Sequence, residues 1–119
     1  MDLKEAIRAH EEWRQKFRCA LIKRETLDAA TIGMDNCCDL GRWLYGDAKT
    51  QLGKLASYGD TVAKHKVFHR EAGRVANAIS GNQHVEAEKL LADGSAFSEA
   101  SNAVVMAIIQ LEFAKMNNP

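Results

Sequence analysis

Residues 62–79 read Val-Ala-Lys-His-Lys-Val-Phe-His-Arg-Glu-Ala-Gly-Arg-Val-Ala-Asn-Ala-Ile. Within them Val62, His65, Phe68 with His69, Ala72, Val75 with Ala76, and Ile79 advance by threes and fours. That is the spacing of the core-facing stripe of an amphipathic helix. His65 and His69 thus stand where apolar side chains are expected. A helix places residues four apart on one face, so both rings can reach one point. Burying two imidazoles is costly unless something satisfies them. A metal ion, for which imidazole is the commonest protein ligand, is the simplest candidate.

The N-terminal segment carries the same signal. Leu3, Ile7, His10, Trp13 with Arg14, Phe17, and Ala20 with Leu21 form a second helical stripe, and His10 lies on it. Three of the four histidines in the chain therefore fall on predicted core faces. One such histidine is usually a satisfied core residue. Three together, with cysteine available, favour a shared ligand, and a cluster of structural histidines is the alternative that stays open.

Composition sets the frame. At 119 residues the chain fits one domain, read as spanning 1–119, with enough length for a real core. Helix-forming residues dominate, strand signals are scarce and the single proline is the last residue. The expected class is all-α, a four-helix-bundle-like domain with a short extra helix. Sixteen basic and sixteen acidic residues cancel, with no basic face interleaved with aromatics, which argues against nucleic acid. The longest apolar run, Ala103–Ile109, is too short to span a membrane, and the N-terminus lacks the apolar core of a signal peptide. A cytoplasmic location is expected. Three cysteines, an odd count in such a compartment, argue against a disulfide framework.

Along the chain, a first helix is predicted over residues 2–25, capped by Asp2 with Glu5 three residues on. Residues 26–36 read as a loop with at most one helical turn. A short helix from about Cys38 to Tyr45 follows, with Leu40, Trp43 and Leu44 on one side and Gly46 ending it. Residues 47–56 are ambiguous because Gly53 weakens a helix there. The second long helix covers about 58–80, capped at Asp60 or Ser57 and stopped by Ser80-Gly81-Asn82. From Gln83 to Met116 the pattern is helical, broken at Asp93-Gly94-Ser95, and Asn117-Asn118-Pro119 ends it. Phe97, Val104, Ile108 and Leu111 share one face of the last helix. Val105 and Ile109 widen that face toward a second buried contact, such as a partner subunit.

Residues 38–46, Cys-Asp-Leu-Gly-Arg-Trp-Leu-Tyr-Gly, follow a helical histidine and precede His-Lys-Val-Phe-His. Over residues 5–80 this order resembles the chemoreceptor zinc-binding domain family. The resemblance implies a zinc site made by His10, Cys38, His65 and His69, with the short helix carrying the cysteine ligand. Three imidazoles and a thiolate form a closed tetrahedral set suited to zinc, whereas magnesium or di-iron sites need carboxylates that these stripes do not offer. The motif assigns the metal to Cys38 and leaves Cys37 as a packing residue, with a resolving thiol as the alternative. Cys19 is expected to be a buried or half-buried mid-helix thiol, and His84 a solvated helix-start residue. Trp43 and Tyr45 read as core anchors over the site, Gly41 as a point of close packing, and Trp13 as a shield against water.

The resemblance further implies a homodimeric sensory module. It would respond to zinc, or to oxidants such as hypochlorous acid through the zinc-bound cysteine. It would act on a signalling output such as a chemoreceptor or diguanylate cyclase, in cis or in trans. A purely structural zinc-stabilised dimerisation module is the alternative. No enzymatic activity is expected: four good ligands fill the shell, and Glu11 and Glu12 are the nearest candidate bases. A hemerythrin-like oxygen carrier would need more histidines and bridging carboxylates.

Overall fold

In a computed structural model describing residues 1–117, the chain forms eight helices and, among the described residues, no strand. They are α1 (Leu3–Glu11), α2 (Trp13–Lys23), α3 (Ala29–Ile32), α4 (Asp39–Tyr45), α5 (Asp47–Leu52), α6 (Ala56–Ser80), α7 (His84–Leu91) and α8 (Ala96–Met116). The predicted all-α bundle is what forms. The expected first helix is present as α1 and α2, separated at Glu12. The backbone there stays right-handed helical (φ −69°, ψ −19°), so the two run on as one rod with a local irregularity. Asp2 caps α1 by accepting from the Glu5 amide at 3.2 Å, but the Glu5 side chain turns to Arg8 instead of completing a capping box.

Several boundaries sharpen. The turn foreseen within 26–36 is α3, capped by Asp28, whose side chain accepts from the Thr31 amide. The ambiguous 47–56 stretch holds α5, which ends before Gly53. The second long helix starts at Ala56, earlier than expected, with Leu55 at its cap and no side-chain cap bond from Asp60 or Ser57. Gly81 and Asp93-Gly94-Ser95 stop and restart the chain as read, with Ser95 capping α8 through the Ser98 amide. Asn117 caps the end of α8, and Asn118 and Pro119 lie outside the described residues.

The spine is α6. It runs antiparallel to α8: Thr61 near its start donates to the Ala107 carbonyl at 3.2 Å, whereas Glu71 shares a groove with Ala96. The α1–α2 rod packs on both, and α3, α4 and α5 also pack on α6. Phe17, Phe68 and Phe97 are fully buried and meet at centroid distances of 5.5 and 5.7 Å, joining α2, α6 and α8. Each such burial stabilises the fold by roughly 1.5–3 kcal/mol. The Phe68 ring also meets His10 edge-on at 5.0 Å, so this aromatic cluster is the floor on which the histidines stand.

On α8 the expected face is buried: Phe97, Val104, Ile108 and Leu111 are at most 1 % exposed. The opposite face mixes exposed apolar residues with exposed Glu99, Asn102 and Gln110. Met106, Phe113 and Met116 are 55 %, 63 % and 72 % exposed, and Val105 and Ile109 are half-buried beside them. Among the described residues no helix is long and apolar enough to cross a membrane.

Candidate metal centre

His10 from α1, Cys38 at the cap of α4, and His65 and His69 from α6 bring one donor atom each to within 4.8 Å of one another. His65 Nε2 lies 3.2 Å from His10 Nε2 and 3.0 Å from His69 Nε2. Cys38 Sγ lies 3.3 Å from His65 Nε2 and 3.5 Å from His69 Nε2. A tetrahedral ion with N ligands at about 2.0–2.1 Å and S at about 2.3 Å has edges of roughly 3.3–3.6 Å. Four of the six separations fall close to those edges, and the other two, from His10 to His69 and to Cys38, lie within 4.8 Å.

The tautomers agree. His10 Nδ1–H donates to the Ala6 carbonyl at 2.7 Å, and His69 Nδ1–H donates to the Ile32 carbonyl at 2.8 Å. A carbonyl only accepts, so these Nδ1 atoms carry the protons and both Nε2 lone pairs face the cluster. Such outer partners are what orient metal-ligating histidines. His65 Nδ1 is buried with no partner. The donor set of three imidazoles and one thiol, free of carboxylates, fits zinc.

Local sequence explains the placement of Cys38. As the cap of α4 its sulfur accepts from the Gly41 amide at 3.3 Å. A side chain on Gly41 would collide with the Asp35 carbonyl, so glycine there lets the 35–36 segment pass against α4, the close packing expected of it. Burial pushes the Cys38 thiol up, while the Gly41 and Leu40 amides and the Arg42 charge pull it back. Burial also pushes all three histidines down. His65 falls furthest, to about 2, with His69 and His10 adding repulsion. The Ala6 and Ile32 carbonyls oppose the shift at His10 and His69.

Other readings need correction. Cys19 is exposed, because it lies about 200° around the helix from buried Phe17. Tyr45 is 44 % exposed and no core anchor: its hydroxyl donates to Asp35, which pushes the phenol up to about 12. Trp43 does pack against the core. Trp13 stacks on Phe17 and forms one wall of a cleft of about 640 Å³ that reaches His10 and Cys38, so it borders an opening and does not seal it. Cys37 is half-buried in the same cleft, its Sγ 3.5 Å from Asn36 Oδ1. His84 opens α7 as expected and meets Arg24 at 3.2 Å. The Ala6 and Ile32 carbonyls carried no sequence signal, being backbone atoms.

Among known families, the model of the chemoreceptor zinc-binding domain matches residues 10–76, more than half of the chain. The chain belongs to that family. No curated protein and no solved structure matches it. The matched span begins at His10 and includes Cys38, His65 and His69, so all four clustered side chains of this chemoreceptor zinc-binding domain lie within it.

The metal-free protein has a definite pH response. Its histidines sit below the ordinary value of 6.5, so below about pH 6.5 the unfolded chain binds more protons than the folded one. Stability is complete above that pH and falls below it, by up to about 1.4 kcal/mol per pH unit for each histidine that stays neutral. Urea denaturation of the chelator-treated protein at pH 7.5, 6.5 and 5.5 should show a flat upper half and a steep lower half. A flat profile throughout would contradict the burial of neutral imidazoles.

Proposed function

We propose that this domain is a zinc-responsive regulatory module in which His10, Cys38, His65 and His69 together bind one zinc ion. The observation that carries the reading is the convergence of four donor atoms from three helices to within 4.8 Å of one another, with two histidines pre-oriented by backbone carbonyls. Zinc held there would link α1 and the start of α4 to α6. Four protein donors leave no open position for substrate, and the domain is read as a sensor and not an enzyme. Its output is a signalling partner, in cis or in trans, of the chemoreceptor or diguanylate cyclase kind.

Sensing needs two states with different ligation. Cys38 is the ligand that can change, since it borders the open cleft and, unlike His10 beside it there, carries a readily oxidised sulfur. Hypochlorous acid can transfer chlorine to its thiolate with release of hydroxide. Water then displaces chloride and leaves a sulfenic acid, so that sulfur is oxidised and chlorine reduced. The weakened ligand frees the start of α4 while three histidines stay in place. Exposed Met106, Phe113 and Met116 on α8, beside half-buried Val105 and Ile109, support a homodimer that covers them.

Protein purified without added metal should contain one zinc per chain. His65→Ala and His69→Ala should lose it together with the metal-dependent rise in Tm, and His84→Ala should keep both. Retention of zinc by both ligand variants would overturn the site. Sedimentation at micromolar concentration should give twice the chain mass, and Phe113→Glu should shift it to monomer with helicity intact; a wild-type monomer contradicts the dimer. Under limiting hypochlorite, mass spectrometry should find Cys38 modified as zinc is released. Exposed Cys19 is the internal competitor: its modification first, with zinc retained, would leave only a structural zinc module.

A further inference from the structure

The four-residue α3 buries no residue of its own, yet it is held against α6 at three points. At one end the Leu27 amide donates to Ser80 Oγ at 2.8 Å, and that hydroxyl donates back to the Leu27 carbonyl at 3.2 Å. At the other end the Ile32 carbonyl accepts from His69 Nδ1. Between these points, one turn beyond His69 on α6, Gly73 lies directly against Gly33. A Cβ on Gly73 would stand 2.9 Å from the Gly33 Cα, 3.4 Å from its nitrogen and 3.5 Å from the Ala29 carbonyl oxygen. All three are backbone atoms, so no side chain can swing aside. Glycine is otherwise a poor choice inside a 25-residue helix, where alanine loses less entropy.

We infer that Gly73 is a positioning residue for the metal centre. By presenting no side chain, it lets the α3 backbone approach α6 closely enough for the Ile32 carbonyl to hold the His69 ring, with Nε2 turned toward the other donors. Gly73→Ala lifts α3, lengthens that hydrogen bond and releases the ring. Gly59 supplies the control, since it lies in the same helix and a Cβ there meets nothing within 4 Å. Gly33→Val presses on the same contact from α3 and leaves α6 unaltered.

This inference rests on the proposed zinc site, and its test separates the two. Zinc affinity is measured by chelator competition for wild type, Gly73→Ala, Gly33→Val and Gly59→Ala, and exchange of the His69 Nδ1 proton is followed by NMR in the zinc-loaded proteins. The expected result is roughly 10- to 100-fold weaker zinc binding in Gly73→Ala and Gly33→Val, the scale of lost outer-shell partners, with faster exchange of that proton. Gly59→Ala should match wild type within about twofold on the same scale. Either contact variant that folds decides the matter. Unchanged affinity, or weakened affinity with the His69 proton still protected, overturns the positioning role. Failure of wild type to bind zinc would instead sink the site itself.

Discussion

Three imidazole nitrogens and a sulfur converge in the interior of this domain, with His65 Nε2 at 3.0–3.3 Å from each of the other three, and the surrounding structure is organised to keep them so. Two of the nitrogens have their protons committed to backbone carbonyls on the far side of the ring. In the metal-free chain only the His65 ring proton and the thiol proton can bridge the lone pairs that converge there. A cation satisfies all four at once. The polar cost of burying His10, His65 and His69, each at most 4 % exposed, is then repaid at the centre of the cluster.

The fold distributes this constraint unevenly. Helix α6 contributes two donors and is fixed by the Phe17–Phe68–Phe97 cluster and by its long contact with α8. His10 shares that aromatic floor through Phe68. Cys38 stands at the cap of a seven-residue helix seated by buried Leu40 and Leu44, and its sulfur is the one donor of the four that oxidation converts into a weaker ligand. A structural zinc contributes on the order of 10 kcal/mol, comparable with the whole stability of a small domain. On the zinc reading, the ion is thus a major part of what holds α4 and α1 to the spine, which is why its occupancy or ligation can act as a signal.

Much of this was legible in the residue pattern. The stripes through His10 and through His65 and His69 announced both long rods and which of their faces is buried. Leu40, Trp43 and Leu44 on one side, with Gly46 at the end, marked α4. What escaped were features made by contacts between distant backbones. The Ile32 carbonyl reaches His69 across 37 residues of sequence, and nothing in Ile32 as a side chain signals it. The exposure of Cys19 was hidden because cysteine is usually buried, although its angular position on α2 places it outward. Tyr45 was drawn toward the core by its type, but the hydroxyl finds Asp35 at the surface. The start of α6 was misplaced because Ser57 and Asp60 look like caps, while tertiary contacts such as Tyr58 donating to the Leu44 carbonyl carry the helix past them.

The central claim concerns the atoms around the ion. X-ray absorption at the zinc edge, on protein loaded with one equivalent of zinc, reads them directly. The account predicts three nitrogen scatterers with imidazole outer-shell features at about 2.0–2.1 Å and one sulfur at about 2.3 Å. A shell with no sulfur, or with two, would contradict it.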